Sequence, residues 1–198
     1  TGATFLNTTV ATMAAMLAWL LVERITHGKA TSLGAASGIV AGLVAITPAC
    51  GAVNVTGAIA VGVVAGALCA LAVGLKFKIG LDDSLDVVGV HGVGGVWGAL
   101  ATGIFATKLV NDAGADGLLH GNPRQFGIQV VAVLVTLVLG FVMTTIILKI
   151  LDAVMGARVT EEEEMAGLDL SQHSETAYTL SGGSYGEYTM HGSHGGAH

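Results

Sequence analysis

Apolar residues occur in five long runs, and the segments between them hold most of the charged side chains. The runs cover approximately residues 4–22, 32–48, 55–75, 86–107 and 126–151. An α-helix rises 1.5 Å per residue, so about 20 residues cross a hydrocarbon core of about 30 Å. The second run is short, and Pro48 at its end disfavours helix at Thr47. The pattern predicts an all-α protein whose residues 1–156 form a polytopic bundle of five transmembrane helices.

The composition changes sharply beyond Gly156. Residues 157–198 contain four consecutive glutamates and many glycine, serine and threonine residues, but no apolar run of spanning length. We therefore predict an extramembranous tail with a disordered end. Near that end, His191, His194 and His198 are separated by small residues, and three imidazoles can bind a transition metal. A weak metal site is thus the alternative to a disordered end.

The overall composition favours a membrane protein. Hydrophobic residues make up 53% of the chain and charged residues only 11%, whereas soluble domains carry roughly 25% charged residues. The net charge of −6 comes largely from the tail. Cys50 and Cys69 lie in apolar surroundings without metal-ligand spacing, which indicates small core residues. No phosphate-binding loop, nucleophile–base pair or basic nucleic-acid patch is present in the sequence, so we expect no enzyme, no cofactor and no nucleic-acid partner.

The basic residues predict the orientation of the bundle. The segments after the first, third and fifth runs, together with the end of the fifth run, hold six of them: Arg24, Lys29, Lys76, Lys78, Lys149 and Arg158. The segments after the second and fourth runs hold only Lys108 and Arg124. Because basic loops stay in the cytoplasm, we expect the amino end outside and the tail inside. The chain starts at Thr1 without a basic stretch, so we also expect no signal peptide.

Glycines recur at intervals of four residues within three of the runs. These are Gly34, Gly38 and Gly42 in the second run, Gly62 and Gly66 in the third, and Gly94 and Gly98 in the fourth. Small residues at this spacing let membrane helices approach to backbone distance. The pattern therefore predicts closely packed helices.

The fourth run, DVVGVHGVGGVWGALATGIFAT, contains one imidazole, His91, among glycines and apolar residues. An ionisable group in a membrane span is a functional-site hypothesis, because its desolvation is costly. Helical spacing predicts one stripe formed by His91, Gly94, Gly98, Thr102 and Phe105. We interpret the stripe as the lining of a narrow pathway. The alternative is that His91 only donates a hydrogen bond to a neighbouring helix.

Two further residues are candidates near the ends of these runs. Asp86 is expected to cap the fourth helix, and with Asp82 and Asp83 it forms an acidic patch at the cytoplasmic entrance. Thr47, at the break before Pro48, is a weaker pore candidate because its carbonyl and hydroxyl are free to face the pathway. The alternative for Thr47 is an ordinary turn residue.

Three segments of the chain resemble the ammonium transporter family (Amt/MEP/Rh). The fourth run resembles the family signature, and SLGAASGIVAGLVAITPACGAV is similar to the preceding glycine-rich span and its turn. GARVTEEEEMAGLDLSQHSETAY is similar to the cytoplasmic tail of bacterial members. These segments occur in the family's order and cover most of residues 1–178.

The resemblance implies the last five spans of an eleven-span fold, which is built from two five-helix inverted repeats and a final long helix and assembles as a homotrimer. Each family pore holds two facing histidines, and His91 aligns with the second. Ammonium loses its proton and passes as ammonia, with the histidine pair implicated in moving the proton. The first histidine, the outer aromatic site and the phenylalanine gate belong to the amino-terminal half, so we expect this chain alone to form no complete pore.

The resemblance also implies a cell (inner) membrane location and a regulatory tail. A PII-type signalling protein docks on the cytoplasmic face of bacterial members, where the tail packs. The corresponding tail residues here are Arg158, Glu161, Gly167 and Asp169. The alternative functions are an ammonium sensor or PII-docking module without transport and, more weakly, a metal-binding membrane protein that uses His91 and the tail histidines.

Overall fold

The computed structural model describes residues 1–176, apart from the side chain of Phe77. The chain divides into two compact units, residues 1–141 and 142–198. The helices in the described part are α1 (Gly2–His27), α2 (Ser32–Ile46), α3 (Val55–Ile79), a π-helical turn (Val88–Gly92), α4 (Val93–Phe105), a 3-10 turn (Leu118–His120), α5 (Pro123–Met155), α6 (Glu161–Ala166) and α7 (Leu168–Ser171).

Four helical segments of the described residues are long and apolar enough to cross a membrane. They are Gly2–His27, Val55–Lys76, Val88–Phe105 and Pro123–Met155. The helix Ser32–Ile46 is apolar but shorter, with 15 residues. An all-helical, multi-pass membrane fold is therefore confirmed, while the number of five spans stays a prediction.

The helices differ from the predicted runs at their ends. α1 and α3 continue four or five residues beyond the apolar runs, because a helix needs no further apolar residues once it leaves the hydrocarbon region. They end at Gly28 and Gly80, whose φ angles of 77° and 65° favour glycine. The predicted end of the second run at residue 48 is two residues too late, since α2 ends at Ile46 before the Thr47–Pro48 turn. α5 extends the fifth run in both directions, from Pro123 to Met155.

Polar contacts at both ends hold α2 along α1. The Thr31 hydroxyl caps α2 by accepting the Gly34 N–H at 2.8 Å, while the Thr31 N–H donates to the Glu23 carboxylate near the end of α1 at 2.8 Å. At the other end, the buried Asn7 amide donates to the carbonyls of Cys50 (2.9 Å) and Val53 (2.7 Å). The chain therefore starts α2 beside the end of α1 and finishes it beside the beginning of α1.

The centre of the first unit is packed at backbone distance. A Cβ atom added at Gly62 would lie 2.2 Å from the Ala11 carbonyl oxygen, and one at Gly66 would lie 2.2 Å from that of Ala15. In α2, Gly42 meets Thr12 of α1 in a similar way, with a Cβ-to-Cα distance of 2.7 Å. The prediction that the glycine spacing of the second and third runs packs helices closely is confirmed.

The described part of the second unit contains the end of α5 and two short exposed helices. α6 starts with a capping box: the Thr160 hydroxyl accepts the Glu163 N–H at 3.3 Å, and the Glu163 carboxylate accepts the Thr160 N–H at 2.9 Å. The hydrogen bond from the Thr160 N–H lowers the pKa of Glu163 below its ordinary value. Gly167, with φ of 94°, joins α6 to α7.

Candidate functional site

His91 lies in the π-helical turn that precedes α4. The Val93 N–H donates to the Val88 carbonyl five residues earlier, which is the bond that defines a π turn. Such a turn holds more residues than an α-helical turn. Side chains before it are therefore rotated relative to those that follow, compared with their positions in an uninterrupted helix. π turns inside helices are frequent at functional sites.

A cavity of about 300 Å³ opens beside the exposed His91 side chain, between α4 and α5. Its α4 side is formed by Gly92, Gly95, Val96 and Ala99, and its α5 side by Thr136 and three apolar residues. The Thr136 hydroxyl donates its proton to the Ala132 carbonyl at 2.8 Å, so only its oxygen lone pairs remain for the cavity. The imidazole is thus the principal polar group in an otherwise apolar wall.

A second cavity, of about 280 Å³, is also lined by His91. Its other polar residues are Ser37 of α2 and Ser84 and Asp86 of the loop before the π turn. His91 therefore lies between an apolar cavity and a more polar one.

The opposite face of the same segment is closely packed. A Cβ atom at Gly98 would lie 2.2 Å from the Ala45 carbonyl oxygen, and one at Gly94 would lie 3.3 Å from the Cys69 sulfur. Both glycines are buried. Gly95, by contrast, has open space where a Cβ would stand.

The predicted stripe that joins His91 to Gly94 and Gly98 is wrong. Those two glycines pack against α2 and α3, whereas His91 shares the cavity with Gly92 and Gly95. The reason is the π turn, which rotates His91 away from the face it would share in a regular α-helix. A role for Gly94 and Gly98 in supporting a pore stays a prediction.

The other predicted pore residues do not line the cavities beside His91. Thr47 is exposed, and its hydroxyl donates to the Leu43 carbonyl at 2.6 Å. Thr102 is half-buried, and its hydroxyl donates to the Gly98 carbonyl at 2.9 Å. Phe105 packs against the buried core of the first unit. None of these three residues lines either cavity of His91, so their pore roles stay predictions.

The predicted cap at Asp86 is wrong, because Asp83 performs that role. The Asp83 carboxylate accepts the N–H groups of Val87 and Val88, each at 2.8 Å. Asp86 lies outside the helix with φ of 58°, and its carboxylate forms an ion pair with Lys76 of α3. Both aspartates precede the same helix in sequence. Because the backbone turns at Asp86, the Asp83 carboxylate is the one that accepts the free N–H groups.

The predicted tail residues lie together in and around α6 and α7. Arg158 is 3.9 Å from the Glu164 carboxylate, and Glu161 is exposed in the first turn of α6. Asp169 follows Gly167, and a Cβ at Gly167 would lie 2.7 Å from the Asp169 carboxylate. Their regulatory role stays a prediction.

Metal binding has no further support within residues 1–176. In that range, no group of three or more His, Cys, Asp or Glu side chains is placed to hold a metal ion. The tail histidines His191, His194 and His198 lie outside the described residues. The metal hypothesis for the tail therefore stays a prediction.

Sequence patterns missed the α5 wall of the His91 cavity and the part of the α4 wall formed by Val96 and Ala99. Ala99 lies eight residues after His91, an ordinary helical spacing that places it on the same face, whereas Val96, five residues after His91, had no such signal. Thr136 was a visible hydroxyl in an apolar run, but Thr144 and Thr145 follow in the same run, so nothing distinguished it.

Comparison with known proteins decides the family of this fold. The sequence profile of the Ammonium Transporter Family matches residues 1–178. The chain belongs to the ammonium transporter family. An ammonium transporter of Mycobacterium tuberculosis is 54% identical over 183 residues, which cover 89% of this chain and 38% of that protein. An ammonium transporter of Bacillus subtilis is 50% identical over 175 residues, which cover 88% of this chain and 43% of that protein.

Solved structures of the family share the fold. The crystal structure of Saccharomyces cerevisiae Mep2 is similar with a TM-score of 0.76 and 36% identity, covering 81% of this chain and 37% of that one. A sensor Amt protein is similar with a TM-score of 0.76 and 32% identity, covering 86% of this chain and 42% of that one. The chain thus spans about two-fifths of the length of these relatives.

Proposed function

We propose that this chain forms the carboxy-terminal half of a pore that transports ammonium as ammonia. The observation that carries the proposal is the position of His91 in a membrane span, beside a cavity of about 300 Å³ with mostly apolar walls. Transport by the family gives the substrate class, since the relatives are named ammonium transporters.

The apolar wall favours ammonia over ammonium. Moving a bare cation into an apolar passage carries a large desolvation penalty, whereas neutral ammonia needs only a hydrogen-bond partner. We infer that ammonium gives up its proton before it enters the passage and that the His91 imidazole binds the remaining ammonia. An imidazole can also accept and pass on that proton. A second histidine from the amino-terminal half of the transporter is expected to complete the pair.

The packing of α2 supports five spans. α2 alone covers about 22 Å at 1.5 Å per residue. However, it starts beside Glu23 near the end of α1 and finishes beside Asn7 near its beginning, so with its flanking turns it follows about 24 Å of α1. Five spans fit the last five of an eleven-span, inverted-repeat transporter, in which the site lies between the repeats.

The helix directions support the proposed orientation in the cell (inner) membrane. α1 and α3 run parallel, because Gly62 and Gly66 contact Ala11 and Ala15 in the same order. The basic residues near both carboxyl ends therefore lie on one side, which we assign to the cytoplasm. The amino end of this chain is then outside, and the tail of residues 157–198 is inside.

Assembly and regulation follow the family resemblance. We expect a homotrimer, and we expect a PII-type signalling protein to dock on the cytoplasmic face near Arg158, Glu161, Gly167 and Asp169. The ordered capping box of α6 supports a defined tail surface for such a partner.

Reconstitution tests the transport proposal. Vesicles that contain only this chain should show no ammonium-induced current, whereas coexpression with an amino-terminal half should restore ammonium uptake. His91→Ala in the restored pair should abolish uptake, and His120→Ala, in the 3-10 turn before α5, is the matched histidine control. A strong current from this chain alone, or full uptake with His91→Ala, would contradict the proposal.

The second candidate function is an ammonium sensor without transport. It is supported by the similarity to the sensor Amt protein, at a TM-score of 0.76. A sensor should bind ammonium or the PII-type protein, yet it should show no uptake even when both halves are present. Ammonium uptake that appears only when both halves are present would support transport and contradict a sensor without transport.

A further inference from the structure

One face of α3 holds the segment that carries His91. Cys69, Val73 and Lys76 are spaced by four and three residues, so they lie on the same side of α3. The Cys69 thiol lies 3.7 Å from the Val90 carbonyl oxygen, and a Cβ at Gly89 would lie 2.8 Å from a Val73 methyl group. Lys76 contacts the loop just before the π turn. The loop and the beginning of the π turn, up to Val90, are therefore seated on α3.

Lys76 holds two points of that loop at once. Its ammonium group forms an ion pair with the Asp86 carboxylate and donates to the Asp83 carbonyl at 2.6 Å. The Asp83 carboxylate in turn accepts the N–H groups of Val87 and Val88. The pair is half-buried, with 12% of the Lys76 side chain and 29% of the Asp86 side chain exposed. Burial reduces solvent screening of the ion pair.

The backbone of Asp86 is in an uncommon conformation. Its φ of 58° lies in the left-handed region, which non-glycine residues adopt rarely and aspartate and asparagine adopt more readily than most. Such a conformation persists when surrounding contacts fix it. Here the Asp86 carbonyl also accepts the Val90 N–H at 2.8 Å, the bond that starts the helical segment.

We propose that Lys76 and Asp86 are a positioning pair, whose ion pair fixes the start of the π turn and thereby the direction in which His91 points. The consequence for uptake rests on the transport function proposed above. If the loop is released, the π turn can relax to the commoner α-helical hydrogen bonding, which rotates His91 relative to α4. The imidazole then changes its position relative to α5, whose Ala132 and Thr136 belong to the far wall of the cavity.

Three variants isolate the ion pair. Asp86→Asn keeps the shape and the tolerance of positive φ but removes the charge. Lys76→Met keeps the length and removes the charge, while Lys76→Arg keeps the charge. Lys78→Met is the matched control, because Lys78 is exposed at the same end of α3 and is not part of these contacts.

The first measurement is the direction of His91, by NMR of the complete chain in lipid with labelled histidine and alanine. Wild type, Lys76→Arg and Lys78→Met should show contacts between the His91 ring and Ala132, which line the same cavity from the two neighbouring helices. Asp86→Asn and Lys76→Met should lose those contacts while keeping their helix content. In the transporter with both halves, these two variants should also lower uptake about ten- to a hundredfold, as expected for a displaced reacting group.

Unchanged His91–Ala132 contacts in Lys76→Met, or an equal loss in Lys78→Met, would overturn the positioning pair. If Asp86→Asn does not reach the membrane, the comparison of Lys76→Met with Lys76→Arg decides the question in the same way. Failure of the transport proposal gives a different result, namely undiminished uptake in His91→Ala together with the expected NMR contacts in the Lys76 series.

Discussion

A Cβ atom at Gly98 would lie 2.2 Å from the Ala45 carbonyl oxygen, whereas a Cβ atom at Gly95 would have open space around it. The two glycines are three residues apart in α4, yet one belongs to a closed region and the other to an open one. The closed region consists of the contacts of α4 with α2 and α3 and of α1 with both. The open region is the cavity beside His91. Glycine thus permits helix contact in one region and leaves room in the other.

Replacement of Gly98 gives the largest expected effect. In Gly98→Ala the new methyl group meets a backbone carbonyl that cannot rotate away, so α2 and α4 must separate. We expect a loss of about 3 kcal/mol or more in unfolding free energy, or no folded protein. Denaturation in detergent, followed by circular dichroism, measures the change.

Gly95→Ala is the matched control for Gly98→Ala. Its methyl group enters open space, and alanine favours helix by about 1 kcal/mol over glycine, so stability should stay constant or rise slightly. If both variants lose stability equally, the division into closed and open regions is wrong.

Asn7 tests the closed region at its other end. Asn7→Ala removes both hydrogen bonds that hold the Cys50 and Val53 carbonyls, and it leaves two acceptors without this partner in a buried position. We expect a loss of about 2–3 kcal/mol in unfolding free energy, measured in the same way. Asn54→Ala, which removes only the cap of α3, should lose about 1 kcal/mol. A smaller loss for Asn7→Ala than for Asn54→Ala would contradict a stabilising role of the two buried Asn7 hydrogen bonds.

Thr136 tests the open region. Thr136→Val keeps the shape of the cavity wall and removes the acceptor oxygen, so stability should change by less than about 1 kcal/mol. Uptake through the transporter with both halves should nevertheless fall several-fold if the oxygen binds substrate. Thr144→Val, in the same helix but not part of the cavity lining, is the control. Equal uptake in both variants would mean that the α5 wall acts only through its shape.

The tail gives the smallest expected effect, since it belongs to neither region. The pKa of Glu163 is lowered by the Thr160 N–H, so the ionised carboxylate is the form that stabilises α6. Its contribution is complete above the ordinary carboxyl pKa and is lost as the pH falls through the lowered pKa. NMR of the Thr160 and Glu163 amides should follow this loss in acid, and Glu163→Ala should remove it. Amide signals that do not change in acid would contradict a stabilising role of the ionised Glu163 carboxylate in the capping box.

The fold was predictable where bilayer thickness controls it. Long apolar runs locate membrane helices because the hydrocarbon region requires them, and the glycine spacing of α2 and α3 predicted their close packing, which is against α1. The exact ends were not predictable in the same way. Glu23 and Lys76, for example, remain helical beyond the apolar runs, and α1 and α3 stop only at glycines with positive φ.

The site was predictable only in part. His91 is conspicuous as an ionisable group in a membrane span, and this property alone singled it out. The predicted neighbours Gly94 and Gly98 were wrong because spacing rules assume 3.6 residues per turn. The segment before α4 instead contains a π turn, beside which Gly89 packs on Val73 and Asp86 pairs with Lys76. Such a turn depends on contacts between residues far apart in sequence, which local periodicity does not contain.

The π turn makes the length of this segment as important as its side chains. Loss of a single codon, that of Gly92, would leave every other amino acid in place. The π turn would then close into an ordinary α-helical turn, which holds one residue fewer, so the residues before it would stay seated on α3 while His91 moved into the place of Gly92. The imidazole would change its position relative to the cavity although no polar side chain had been lost. Among natural variants of this gene, a one-residue deletion here should therefore disturb the site.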